Sequence, residues 1–157
     1  MSTQDKKFVD NHLKGEIIAV NISQKKGTKK VNIKEAYLEK DRGVTDDAHA
    51  GPGHRQVSLL ALESIEKIRQ KGLAVSPGDF AENITTRGIK LNELPVGTRI
   101  SIGNEVLLVM TQLGKECLNP CAIFHQVGTC VMPIEGIFAR VIQGGRIRVG
   151  EPIQLEI

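Results

Sequence analysis

A chain of 157 residues is the length of one domain and buries roughly 68–70% of its unfolded surface, enough for a core without disulfide staples. Hydrophobic residues at 40% and charged residues at 25% exclude disordered, fibrous and collagen-like classes. The net charge of +3, from 21 basic and 18 acidic side chains, is too balanced to mark a nucleic-acid or membrane surface.

With four Phe, one Tyr and no Trp there is little surface on which single-stranded bases would stack, and the core must be built from Val, Ile and Leu. No window approaches 18 consecutive apolar residues, and the polar start Met1-Ser2-Thr3-Gln4-Asp5 lacks the apolar stretch of a secretory signal. A cytoplasmic protein is expected, with no membrane and no nucleic-acid partner. Three cysteines, an odd number without a signal peptide, fit a reducing compartment in which thiols stay free.

Residues 1–14 are polar without period and read as a flexible lead-in to a single domain over residues 15–157. The apolar run at 16–23 predicts a first strand, and the alternation at 31–34 predicts a second that pairs back on it. The basic run at 25–30 between them reads as a solvated hairpin turn, phosphate contact being the alternative. Residues 41–54 carry Gly, Asp and His and few large apolar side chains, the composition of a long functional loop. Strand character returns at 56–60, followed by a helix over 61–71 with Leu62, Ile65 and Ile68 on one face and Gly72 as its stop. Glu63 and Lys67 are spaced for an ion pair on its solvated face.

Pro77-Gly78-Asp79 marks a turn before an extended stretch at 80–85. Beyond Leu94 the pattern is β: a turn at Pro95-Val96-Gly97, strands at 98–102 and 105–111 joined by a tight Gly103-Asn104 hairpin, and further strands at 138–142, 146–149 and 153–157 separated by glycines. Many short strands with one good helix predict a mainly β fold with α insertions, a closed or nearly closed β-barrel.

All three cysteines fall in one stretch with a histidine: Cys117, Cys121, His125 and Cys130. Cys117 follows a predicted strand and the turn Gly114-Lys115-Glu116, so its sulfur is expected at a barrel rim, where Lys115 would favour the nucleophilic, soft-metal-binding thiolate. A buried structural cysteine is the alternative. If the segment is helical, Cys121 and His125 share a face, and with Cys117 and Cys130 they could form a zinc site of three thiolates and one imidazole. The gaps lack the paired short spacings of zinc ribbons and fingers.

The loop around Asp46-Asp47-Ala48-His49 and His54-Arg55-Gln56 brings carboxylates, imidazoles and a guanidinium together, and Arg55 offers a planar fork suited to phosphate or a pterin oxygen. A surface loop in which these groups cap turns and pair among themselves is the bland alternative. Glu82 and Asn83 could supply further acceptors at the same rim. No GxxxxGK[ST], strand-embedded GxGxxG or serine elbow is present.

Taken in order, residues 43–51, His54-Arg55-Gln56-Val57-Ser58-Leu59-Leu60, Pro77-Gly78-Asp79-Phe80-Ala81-Glu82-Asn83, Leu94-Pro95-Val96-Gly97-Thr98, residues 111–117 and the glycines from Gly144 to Gly150 resemble the MOSC domain. This is the module related to the C-terminal part of molybdenum cofactor sulfurases and found in small stand-alone bacterial proteins. The resemblance implies a β-barrel similar to that of pyruvate kinase, and a family cysteine, here Cys117, that carries sulfur or ligates molybdenum. Cys121 and Cys130 look like additions to that pattern.

Asp47, His49, Arg55, Glu82 and Asn83 match the family's polar loops. The chain departs from the family at Asp46-Asp47, where Gly-Asp is usual, and at Gly150-Glu151. The implied function is binding of a molybdopterin-type molybdenum cofactor, or sulfur carriage in its assembly. Arg55 with Lys115 or Arg140 would hold the phosphate, and Asp47, His49, Glu82 and Asn83 would orient the pterin. Expected partners are a sulfur-donor protein such as a cysteine desulfurase and a molybdenum enzyme or cofactor-biosynthesis protein. Pyridoxal phosphate is not expected in this chain itself. The alternatives are a molybdenum-dependent reductase of small N-hydroxylated compounds, whose larger relatives carry an additional N-terminal region, and a non-enzymatic zinc-stabilised interaction module.

Overall fold

Aliphatic side chains at every second position give each strand one inward face, and strands so patterned close on themselves. The computed structural model describes residues 13–26, 29–114 and 135–156. In chain order the elements are β1 (Lys14–Ile22), β2 (Val31–Ile33), β3 (Glu35–Glu39), β4 (Gly43–Val44), β5 (Val57–Ala61), α1 (Leu62–Arg69), β6 (Ile84–Arg87), β7 (Arg99–Ile102), β8 (Val106–Leu113), β9 (Ile137–Gln143), β10 (Gly145–Arg148) and β11 (Pro152–Glu156). Seven of them close a barrel in the order β11-β7-β8-β9-β5-β6-β1, with β1 returning to β11 through Lys14↔Gln154, Gly15↔Ile153 and Glu16↔Pro152. The upper half of the nine-residue β1 also carries β2 at its edge, Val20 opposite Ile33.

The barrel interior is aliphatic, with Ile17, Leu59, Ile84, Ile100, Leu108, Ala139 and Ile153 all fully buried in one cluster. A second cluster lies outside the wall. There β5 and β6 run parallel, joined through α1, and Ile65 and Ile68 press on Leu60, Val75, Phe80 and Phe138. Burying each isoleucine contributes about 1.5–3 kcal/mol, far more than the helix gains from Glu63 in its first turn and Lys67 and Arg69 in its last. Alternation along β5 therefore sorts its residues: Val57 and Leu59 belong to the barrel, Leu60 to the helix side.

Several expectations shift. The sequence gives no warning of β3 and β4, which with β10 form a separate three-stranded sheet. Between the exposed Glu35, Tyr37 and Glu39 only Leu38 is fully buried, so the period-two signal is weak. Ile102 pairs with Val106, so the β7–β8 hairpin has a three-residue loop rather than a two-residue turn. Of the stretch 80–85, open from sequence to a short strand or an extended loop, residues 80–83 are loop, with Ala81 in a left-handed backbone, φ 65°, and the strand begins at Ile84. Lys67 does not pair with Glu63: its ammonium is held by Glu135 at 2.9 Å, and Glu63 accepts from the Gly88 N–H at 2.9 Å. The lead-in expected at 1–14 lies outside the described residues except for Leu13 and Lys14, the latter already in β1. Among the described residues no helix is long and apolar enough to cross a membrane.

Candidate functional site: a cationic cleft beside the barrel

Ser58 and Phe138 stand on the outer faces of β5 and β9, and the loop between β4 and β5 folds over them. The result is a cleft of about 430 Å³, within the range of small-molecule sites. Lys26, His49, His54 and Arg55 wall it, and Ser58, Ala81, Asn83 and Phe138 are among the other lining residues. No Asp or Glu is among its described lining residues, so the field inside favours an anion.

A β-bulge aims one wall. Along β8, Leu108 and Met110 point into the barrel, and strict alternation would send Gln112 inward as well. The register instead slips between Met110↔Ala139 and Gln112↔Phe138, leaving Thr111 as the extra residue and turning Gln112 to the cleft side. Thr111 donates its hydroxyl to the carbonyl oxygens of His54 and Phe138. The Gln112 Oε1 accepts from His54 Nε2 at 2.8 Å and from Arg55 Nε at 3.0 Å, while its amide nitrogen donates to the Gly114 oxygen at 2.7 Å. The Arg55 guanidinium also lies 5.3 Å from the centre of the Phe138 ring. With Nε committed to Gln112, its two terminal NH₂ groups have no hydrogen-bond partner among the described residues and are placed for a ligand.

Beneath the opposite wall sits a buried ion pair. The side chains of Lys30 and Asp47 are 0% and 1% exposed, with Nζ to Oδ1 at 2.7 Å. Lys30 also donates to Ser23 Oγ at 3.1 Å and lies 3.0 Å from His49 Nδ1. Asp47 accepts from the backbone N–H groups of Ser23 at 2.9 Å and His49 at 3.2 Å. Burial alone would push the Asp47 carboxyl up, but the Lys30 ammonium and the backbone N–H groups of Ser23 and His49 outweigh it and hold the carboxyl well below the usual range. Asp46 takes a left-handed backbone, φ 70°, which Asp tolerates.

Asn83 ties three strands together. Its Oδ1 accepts from the Ser58 N–H at 3.0 Å, its amide donates to the Asn21 oxygen at 3.3 Å, and its backbone oxygen accepts from Asn21 N–H at 2.7 Å. Glu82 is fully buried beside it. Its Oε2 accepts from Thr85 Oγ1 at 2.7 Å while Oε1 has no hydrogen-bond partner among the described residues, and burial pushes its carboxyl above the ordinary value.

Of the residues singled out from sequence, His49, Arg55 and Asn83 meet at the cleft and Asp47 supports it from below. Glu82 lies in the buried polar layer and does not line the cleft. Arg140, half exposed on β9, is 3.7 Å from Asp41 and does not reach the cleft wall. Lys115, Cys117, Cys121, His125 and Cys130 lie outside the described residues. Among the described residues no group of His, Cys, Asp or Glu is arranged to hold a metal ion. Sequence reasoning missed the burial of Lys30, read as part of a solvated turn, and missed Phe138 on the cleft and Gln112 behind His54 and Arg55, while Lys26 entered only through the alternative of phosphate contact by its basic run. Only for Gln112 was there a signal, in the resemblance carried by Thr111-Gln112.

Solved structures share the fold, among them three bacterial proteins. The YuaD protein from Bacillus subtilis superposes with a TM-score of 0.77 at 16% identity, over 91% of this chain and 96% of its own. YiiM from Geobacillus stearothermophilus gives 0.66 at 20% identity, covering 91% and 75%. YiiM from Escherichia coli gives 0.62 at 19%, covering 92% and 70%. No curated protein matches the sequence. A family model, however, matches residues 46–154, well over half of the chain and including His49, His54, Arg55, Ser58, Asn83 and Phe138 of the cleft, and by that match the chain belongs to the MOSC domain family.

Proposed function

We propose that the cleft binds the phosphate-bearing end of a molybdopterin-type cofactor and that Cys117 acts there as sulfur carrier or molybdenum ligand. The observation that carries this reading is the cleft wall: two cationic side chains, two imidazoles and no carboxylate among the described residues around about 430 Å³. That chemistry fits a dianionic phosphate joined to a polar ring system. The free NH₂ groups of Arg55, with Lys26, would hold the phosphate, and His49 and Asn83 would hydrogen-bond the pterin. Asp47 and Glu82 act from behind these groups. Arg140 is left out because Asp41 engages it outside the cleft. When bound, the cofactor supplies a soft metal centre suited to a thiolate.

Cys117 follows Gly114 by three residues in the sequence, and the Gly114 oxygen accepts from Gln112, which also holds His54 and Arg55. In sulfur carriage, the Cys117 thiolate attacks the terminal sulfur of a donor persulfide. The donor S–S bond breaks, a new S–S bond forms on Cys117, and the donor cysteine leaves as thiolate. A cysteine desulfurase is the expected donor, and a molybdenum enzyme or cofactor-biosynthesis protein the acceptor.

Intact mass spectrometry after incubation with a persulfide donor, paired with elemental analysis after incubation with the cofactor, tests the reading. One reductant-labile sulfur, or stoichiometric molybdenum, is expected in the native chain and in Cys121→Ser and Cys130→Ser, but not in Cys117→Ser. Undiminished retention in Cys117→Ser, or none in the native protein, overturns it.

A further inference from the structure

We infer that His49 is a fixed hydrogen-bond donor to whatever the cleft binds, its ring tautomer set by the buried ammonium of Lys30. An ammonium has three N–H donors and no lone pair. Around Lys30 Nζ stand three acceptors: Asp47 Oδ1 at 2.7 Å, His49 Nδ1 at 3.0 Å and Ser23 Oγ at 3.1 Å. Nδ1 must therefore offer its lone pair, which leaves the ring proton of a neutral imidazole on Nε2. The opposite arrangement, Nδ1–H donating to Asp47, fails on distance, since Oδ2 is 3.7 Å away and already accepts from the His49 backbone N–H.

This inverts the familiar carboxylate–imidazole pair, in which the carboxylate takes Nδ1–H and frees Nε2 as a base. Here the carboxylate orients an ammonium and the ammonium orients the imidazole. The ring is 36% exposed and borders the cleft, and among the described residues its Nε2 has no hydrogen-bond partner. His49 thus presents N–H rather than a lone pair. It can bind an anionic oxygen or sulfur, but in this state it neither abstracts a proton nor ligates a metal through Nε2. Lys30 is a positioning residue. The identity of the acceptor rests on the cleft being an anion site, as proposed above; the tautomer does not.

Long-range proton–nitrogen NMR correlation on the full chain, with His49 assigned by its absence in His49→Gln, reads the tautomer directly. A pyridine-type Nδ1 and a pyrrole-type Nε2 are expected in the free protein at neutral pH. A protonated Nδ1, or an averaged pair, overturns the inference. In the double variant Lys30→Met with Asp47→Asn, which removes both buried charges together, the tautomers are expected to average, and an unchanged Nε2–H form would show that Lys30 does not set it.

Titration with inorganic phosphate separates the two layers. Binding should shift the Nε2 resonance. Since a hydrogen bond to a charged group is worth about 1.5–3 kcal/mol, His49→Leu should weaken phosphate binding by about tenfold or more. His49→Gln, which keeps an N–H at that reach, should restore most of the loss. Phosphate shifts at Arg55 without any at His49 would overturn the donor role alone. No response from any cleft residue would overturn the anion-site reading while leaving the measured tautomer standing.

Discussion

Two carboxyls a short distance apart in the buried polar layer are driven in opposite directions. Asp47 sits below its ordinary pKa, so it contributes stability that is fully present above the unfolded carboxylate value, near 4, and is lost as pH falls through and below that value. Glu82 sits above its ordinary pKa, so its ionised form costs stability at high pH, and that cost is relieved as pH falls and the folded state takes up a proton. Glu82→Gln, which imitates the protonated acid, is therefore expected to raise stability at neutral pH, the gain fading below about pH 4. Denaturant midpoints measured across pH check this, and a gain independent of pH would contradict it. The strained residue nearby gives a second expectation. Ala81, φ 65°, lines the cleft, and a left-handed backbone costs an alanine roughly 1–2 kcal/mol, part of which glycine returns as unfolded-chain entropy. Ala81→Gly should stabilise the protein by about 0.5–1 kcal/mol in equilibrium unfolding.

At the level of elements, the barrel strands and the helix were legible because alternation and the 3.6-residue period mark Leu59, Ile65, Ile68, Ile100 and Leu108 as buried, and they are. What was not legible depends on partners distant in sequence. Nothing in the run 25–30 distinguishes Lys30 from its neighbours; it is buried because Asp47, 17 residues away, folds onto it. Gln112 is on the outer face of the barrel, against His54 and Arg55, because of a bulge, and a strict alternation assigns it to the wrong face. His49 and Arg55 were marked by the composition of their glycine-rich loop, and Asn83 by its place after the turn at residues 77–79, with the family resemblance matching all three rather than any periodic signal.

The loop that carries His49 and Arg55 is pinned at its base, and two of its glycines separate space from backbone strain. Gly43 has φ 123° and a Cβ there would collide with the Gln56 carbonyl oxygen, whereas Gly53, φ 120°, faces open space. Strain alone predicts a loss of about 1–2 kcal/mol for Gly53→Ala, and strain plus overpacking about 2–4 kcal/mol for Gly43→Ala. Equal losses in thermal or denaturant unfolding would mean that the contact with Gln56 does not anchor the loop.

Because the barrel interior is filled with aliphatic side chains, the cleft must lie outside its wall, and the wall is only as good as its closure. Just three residue pairs join β1 to β11, and the central one contains Gly15. A side chain at Gly15 would strike the Arg87 carbonyl oxygen and the Ile89 side chain, so glycine is what lets β1 lie between β6 and β11 at once. Pro152, without an N–H, is placed as the first residue of β11, where a missing donor does least harm. Gly15→Val should therefore open the seam first. Its expected signature is faster amide exchange at Ile17, Ile153 and Leu155 ahead of the β8–β9 ladder, together with a loss of stability of at least about 1–3 kcal/mol. Exchange that rises equally across all strands would instead mean that the barrel opens as a single unit. In that case β8 and β9, which carry Gln112 to His54 and Arg55 and Phe138 to the cleft, would have no stability independent of the seam.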